Sequence, residues 1–216
     1  MRIAYIVLTC KKYESTRIPW QKDTVFFNVD PQDIYYLGER MDSEKRLFSW
    51  GAGDDYNSLP YKFLDFFRHS CLNYDWYFLM DDDTFLYADR FQKHVDALPI
   101  KPHEQPYAEG HILTHIAQSE WGVYHSGGAG TLLSAFTYHT VQEMLRGFPS
   151  DYRTPHWCAD ISLGMWMKSI PDIQLVHNER YHYESAKEGD DVQHALTFHH
   201  LATQDDYLRH YAFLKN

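Results

Sequence analysis

"DWYFLMDDDTFLY", residues 75–87, joins an uninterrupted aromatic and aliphatic run, Trp76 to Met80, to three adjacent aspartates, Asp81, Asp82 and Asp83. A run that is apolar at every position, rather than at alternate ones, is the pattern of a strand buried on both faces of a largely parallel sheet. Three neighbouring carboxylates at the end of such a strand repel one another unless a cation sits among them or they fan out into water. In open parallel sheets ligands gather beyond the carboxyl ends of the strands, which is where the triplet falls. Clustered carboxylate oxygens suit Mg²⁺ or Mn²⁺, ions that complete their coordination with water and substrate diphosphate. A solvated turn or a helix N-cap is the plainer alternative; the buried run before the triplet and "TFLY" after it weigh against that.

The flanking sequence supplies the rest of such a sheet. Ile3–Leu8, Val25–Val29 ("VFFNV") and Ile34–Leu37 ("IYYL") read as strands. Between them and the aspartates, Leu59, Phe63, Phe66, Phe67 and Cys71 share one helical face. Strand, helix and strand in alternation predict a mainly parallel sheet flanked by helices. Downstream, Arg90–Leu98 reads as a helix ended by Pro99, "YAEGHILT" (107–114) as a strand, and "TLLS" (131–134) as an apolar segment leading into a helix that stops near Gly147 and Pro149. "DISLGMWMKSI" (160–170) reads as a helix and "DIQLV" (172–176) as a strand. "DDYLRHYAFL" (205–214) reads as an amphipathic helix with Tyr207, Leu208, Tyr211 and Leu214 inward. No repeat, linker or low-complexity tract interrupts the chain, so one domain over 1–216 is expected.

Composition excludes several functions. The net charge of −10 disfavours nucleic acid and anionic membrane as main partners, because both require a basic patch. The N-terminal apolar stretch ends before Lys11 and Lys12, which reads as a strand rather than a signal peptide or membrane span. Cys10, Cys71 and Cys158 cannot all pair and show no metal-knuckle spacing, which favours a reducing, cytoplasmic setting. A catalytic portion of a longer, membrane-anchored chain would instead work in the Golgi lumen.

Other stretches are candidates for the same site. "SGGAG", Ser126 to Gly130 with Gly127 and Gly128 at its centre, offers backbone that a ligand can approach closely, or simply a tight turn. It has neither dinucleotide-fingerprint nor phosphate-loop spacing. Asp160 in "CADISLG" stands at a helix start, as an N-cap or as a carboxylate kept ionised to act as a base on a hydroxyl. His199 and His200 in "LTFHHL" follow a β-like run; each is a packing residue or a metal ligand, and one imidazole of the pair must face the site whichever way the strand turns.

Taken together and in order, these stretches resemble the fringe and core 1 β1,3-galactosyltransferase superfamily, inverting glycosyltransferases of family 31 with the GT-A fold. "DDYNSLPYKFLDFF" (54–67) resembles the family's Asp-x-Tyr-x-Asn-Leu-x-x-Lys helix, with Lys62 in the lysine position. "DWYFLMDDDTFLY", "YHSGGAGTLLS", "ADISLG" and "LTFHHL" resemble its DDDT, GGAG, acidic helix-start and late Phe-His motifs, and "STRIPWQKDTV" (15–25) is a weaker echo of an N-terminal segment. The resemblance implies a single Rossmann-like α/β domain with a mixed, mainly parallel sheet, its part up to about residue 88 binding nucleotide and the remainder binding acceptor. It implies transfer of a hexose or N-acetylhexosamine from UDP-galactose, UDP-glucose or UDP-GlcNAc to a hydroxyl of a glycan or glycoconjugate, in a β1,3 linkage. Mn²⁺ or Mg²⁺ would be held by Asp83, Asp81 and His199. Thr9, Arg17, Asp55, Lys62, Asp81, Asp82, Gly127 and Gly128 would line the donor, and Asp160 would be the catalytic base. Where the family usually carries an acidic residue before that base, this chain has Ala159. The rival expectations are a catalytically inactive fringe-like binding or chaperone protein, and a metal-dependent nucleotidyltransferase or phosphohydrolase.

Overall fold

Asp81 ends the central strand of a seven-stranded sheet, and everything that positions the site follows from what pairs with that strand. In this computed structural model the described residues are 1–113, 122–147, 156–187 and 190–215. The elements are β1 (Ile3–Leu8), α1 (Arg17–Thr24), β2 (Ile34–Leu37), β3 (Leu47–Phe48), α2 (Leu59–His69), β4 (Trp76–Asp81), β5 (Phe85–Leu86), α3 (Ala88–Ala97), β6 (Tyr107–Gly110) and β7 (Thr131–Ser134). They continue with α4 (Ala135–Gly147), α5 (Ala159–Lys168), β8 (Gln174–His177), β9 (Tyr181–His182), β10 (Thr197–Phe198) and α6 (Gln204–Phe213).

The sheet order is β3-β2-β1-β4-β7-β6-β8. β3, β2, β1 and β4 run parallel, β7 is antiparallel to both of its neighbours, and β6 pairs parallel with β8, so the sheet is mixed and mainly parallel. The period-two alternation of side chains sorts the apolar strands onto two cores. Tyr5, Val7, Trp76, Phe78 and Met80 face α1, α3 and α6, whereas Ala4, Ile6, Tyr77 and Leu79 face α2, α4 and α5. Rings fill both layers: Tyr77 stacks on Tyr138 with centroids 3.6 Å apart, and Phe78 meets Phe91 at 4.5 Å.

Register and a second, three-stranded sheet bring distant segments together. Leu8 is level with Asp81, so Thr9 leaves β1 beside Asp82. β10 pairs antiparallel with β5, with Phe198 opposite Phe85, and Leu201 N–H donates to the Asp83 carbonyl at 3.0 Å. The histidine pair is thereby anchored against the acidic triplet.

Several sequence expectations need correction. Val25–Val29 is no strand: α1 ends at Thr24 and the chain turns, with Val25 and Phe26 buried while Phe27 and Asn28 are exposed, a pairing that strand alternation forbids. Cys71 lies beyond the end of α2 and is exposed rather than inward. On α6, Leu208 is 46% exposed and the inward place is taken by His210, whose Nδ1 lies 2.8 Å from the Tyr87 hydroxyl. β6 stops at Gly110, and Thr114 and Pro149 fall outside the described residues. All three cysteines are free, and no helix among the described residues is long and apolar enough to cross a membrane.

Burial of uncharged imidazoles gives the fold a pH dependence. Burial pushes His125 down to about 4, and burial with Arg209 nearby does the same to His210. The unfolded chain takes up these protons near pH 6.5 whereas the folded one resists them, so the stabilising contribution is full above that value and is lost as pH falls toward 4. Each shift is worth roughly 3 kcal/mol at its limit. The carboxyl of Asp81, shifted upward, slopes the other way, so the informative quantity is a difference. Thermal unfolding of the wild type and of the His125→Gln/His210→Gln double variant should converge in stability as pH is lowered from 7 to 4.5; parallel profiles would contradict this assignment.

Candidate active site

The triplet divides its labour as the chain leaves β4, with Asp81 the last residue of the strand and Asp82 and Asp83 in the turn that follows. Asp82 points into the protein and is buried, accepting from Thr9 Oγ1 at 2.7 Å and from Arg17 Nη1 at 2.6 Å. Its backbone carbonyl accepts from the Tyr207 hydroxyl of α6. Arg17 also lies 3.4 Å from Asp83 Oδ2, and its guanidinium covers the Tyr13 ring at 3.7 Å. Burial raises Asp82, and Thr9 and Arg17 oppose the rise. This group ties β1, α1 and β4 into one rigid wall.

Asp81 and Asp83 turn the other way, toward His199. His199 Nε2 is 3.0 Å from Asp83 Oδ1 and 3.7 Å from Asp81 Oδ2, while Nδ1 lies 3.2 Å from the Tyr183 carbonyl. With Nδ1–H given to that carbonyl, Nε2 is the nitrogen presented to the carboxylates. His200, in the left-handed region at φ 62°, stacks on His199 with centroids 3.8 Å apart. Ligand atoms of Asp83, His199 and His200 all fall within 4.8 Å of one another. Burial and then Asp83 push the Asp81 carboxyl up to about 8, the behaviour of a carboxylate placed among like charges. Burial opposes charge on Asp83 too, but the ion pairs with His199 and Arg17 win and its carboxyl is lowered. His199 is likewise raised against burial by Asp83 and Asp81. Two carboxylates and an imidazole, oriented from behind by a carbonyl, form an oxygen and nitrogen donor set suited to a divalent cation.

The glycine turn is shaped by these side chains. A Cβ on Gly127 would fall 2.4 Å from Asp160 Oδ1, and one on Gly128 would fall 2.1 Å from His199 Cε1. Their lack of side chains is what admits the carboxylate and the imidazole. The Gly128 carbonyl is fixed by Thr84 Oγ1 at 2.6 Å. Gly130, at φ 93°, lies over Phe78. Asp160 is the second residue of α5 and is not its N-cap, a position held by Cys158. Burial raises its carboxyl, and the Gly127 amide donates to it.

Two adjoining chambers meet at Asp81 and Asp83. One, of about 310 Å³, is walled by Thr9, Cys10, Tyr13, Arg17, Asp54 and Asp55. The other, of about 260 Å³, contains Asp160, Trp157, Ser126, Gly128, His199 and His200. Leu8, Tyr56 and Leu59 line both. Lys62 stands beneath them, its buried ammonium donating to the Thr9 carbonyl at 2.7 Å and to Asp54 at 3.0 Å. Asp55 faces the first chamber while accepting from Ser58 N–H at 3.0 Å. Of the candidates from the sequence, Thr9, Arg17, Asp55, Asp81, Asp82, Asp83, Gly128, Asp160, His199 and His200 line one chamber or the other, Lys62 lies beneath them, and Gly127 lines neither but packs against Asp160. Tyr13, Thr84, Tyr207 and Trp157 were not foreseen; Thr84 alone had a local signal, its place next to the triplet.

No protein-family model matches the chain, and no curated protein matches it. Solved structures do. The galactosyltransferase LgtC in complex with donor and acceptor sugar analogues aligns with 100% of this chain and 97% of its own, at 10% identity and TM-score 0.56. The glycosyltransferase GlyE of Streptococcus pneumoniae TIGR4, in its apo form, aligns with 98% of this chain and 60% of its own, at 12% identity and TM-score 0.56. The bifunctional glycosyltransferase WbbM aligns with 98% of this chain at 10% identity and TM-score 0.54, and this chain spans 50% of that one. At such identities the likeness is one of fold, and that fold is the GT-A glycosyltransferase fold.

Proposed function

We propose that this chain is a metal-dependent inverting glycosyltransferase of the fringe and core 1 type, moving a hexose or N-acetylhexosamine from a UDP-sugar to a glycan hydroxyl. The observation that carries the reading is the convergence of Asp81, Asp83 and His199 at the junction of two chambers, one of which holds Asp160. The first chamber draws its lining from residues 8–83, which supports a nucleotide-binding N-terminal part; the second adds residues from 126 onward, which supports an acceptor-binding C-terminal part.

Asp83, Asp81 and His199 would hold Mn²⁺ or Mg²⁺. A bound ion supplies the charge neutralisation that a departing diphosphate needs. Thr9, Arg17 and Asp55 wall the nucleoside side, with the Arg17 guanidinium held between the Tyr13 ring and the carboxylates. Asp160 accepts the proton of the acceptor hydroxyl. The hydroxyl oxygen forms its bond to the anomeric carbon from the side opposite the nucleotide, the bond from that carbon to the diphosphate oxygen breaks, and UDP leaves with the electron pair. A raised carboxyl is the stronger base for this transfer.

Titration of UDP with and without Mn²⁺, followed by UDP-release assays with UDP-galactose, UDP-glucose and UDP-GlcNAc, tests the reading. Binding that ignores the metal would overturn it, and release of phosphate or pyrophosphate would identify a phosphohydrolase or nucleotidyltransferase instead. Product NMR reads the anomeric configuration and the β1,3 linkage that the family resemblance supports. Gly128→Ala offers a check on the ligand set that needs no turnover. The new methyl must displace His199, so Mn²⁺ affinity followed by electron paramagnetic resonance should weaken by about tenfold or more. Unchanged affinity would remove His199 from the ligands.

A further inference from the structure

We propose that the chamber beside Asp160 is a subsite for one uncharged sugar ring, whose C–H face stacks on the indole of Trp157. The inference deepens the glycosyltransferase reading and rests on it. Trp157 is 59% exposed, an unusual state for the largest apolar side chain, and it lines the chamber together with Cys158 and Asp160. Because it directly precedes the N-cap of α5, the start of one helix carries both the indole and the base. The His156 ring backs it at 5.3 Å. A flat, apolar, partly wetted surface next to a proton acceptor suits a pyranose, which offers one apolar face of C–H bonds and a rim of hydroxyls.

Size and charge narrow the occupant. At about 260 Å³ the chamber is small beside the roughly 300–1,000 Å³ of drug-sized ligand sites, as a single ring requires. Among the described residues its lining includes the carboxylates of Asp81, Asp83 and Asp160 and no lysine or arginine. A carboxylate, sulfate or phosphate on the acceptor would face the Asp160 carboxylate, since Asp81 and Asp83 are already matched by His199 and the metal they would hold. Neutral hexosides and N-acetylhexosaminides meet no such obstacle.

The test uses the full chain, Mn²⁺, a UDP-sugar it turns over, and p-nitrophenyl glycosides of galactose, glucose, N-acetylglucosamine and glucuronic acid as acceptors. Trp157→Ala should raise the acceptor KM at least tenfold while the Kd for UDP, measured by titration, stays within twofold; Trp157→Phe should remain within threefold of wild type. The glucuronide should fall at least tenfold below the glucoside in kcat/KM. An acceptor KM unchanged in Trp157→Ala, equal losses in Trp157→Ala and Trp157→Phe, or a glucuronide that matches the glucoside would each overturn the subsite while leaving the glycosyltransferase reading intact. No UDP release from any donor and acceptor would overturn both.

Discussion

Asp160→Asn should lower kcat for transfer by about a thousandfold while UDP binds within threefold of wild type. The amide keeps the shape that fits against Gly127 but has lost the basic lone pair, and a positioned general base contributes on the order of 10²–10⁴ in rate. The substitution separates the two roles because Asp160 lies in the second chamber and not in the first, and because the isosteric amide keeps an oxygen able to accept from the Gly127 and Asp160 backbone N–H groups. Single-turnover measurements with saturating donor and acceptor separate the chemical step from binding. A variant that transfers sugar at a tenth of the native rate would take Asp160 out of the role of base. A variant that loses UDP binding would place it with the donor instead.

Asp83→Ala should abolish metal-dependent UDP binding, raising the Kd in saturating Mn²⁺ by about a hundredfold or more. Asp83 is the carboxylate closest to His199 and the one grouped with both histidines. The wall behind it survives the change, because Arg17 retains its 2.6 Å bond to Asp82 and Thr9 retains its own. Loss of UDP binding with native thermal stability is therefore expected, and the metal-free Kd should move little. If the variant binds UDP as the wild type does in Mn²⁺, the cation is not held here. The two variants fail in opposite ways, one in chemistry and the other in binding, and together they separate the base from the ligand set.

Much of this site was legible in one dimension because the decisive groups lie in short local patterns. Apolar runs that skip no position announce buried strands, and Ile3–Leu8, Ile34–Leu37 and Trp76–Asp81 fold as such. Val25–Val29 misled because a run this short reads the same whether it pairs with a neighbour or tucks two side chains under a helix exit, and only packing against Tyr5, 5.5 Å from Phe26, chooses. Leu208 misled because helical spacing leaves its neighbour His210 an equally good candidate for the inward face, and the Tyr87 hydroxyl rewards the histidine.

The sequence by itself determined the layered α/β sheet and the carboxyl-end position of the triplet, since each depends on the period and chemistry of contiguous residues. It did not determine which aspartate faces which way, or that Gly127 and Gly128 leave room for the Asp160 and His199 side chains. Nor did it reveal that Tyr183 aims His199. Those features arise from the pairing of β10 with β5 and with β9 and from the register of β1 on β4, contacts between residues that are not neighbours in the chain. Such contacts exist only once both cores have closed and fixed the backbone, so no local pattern encodes them.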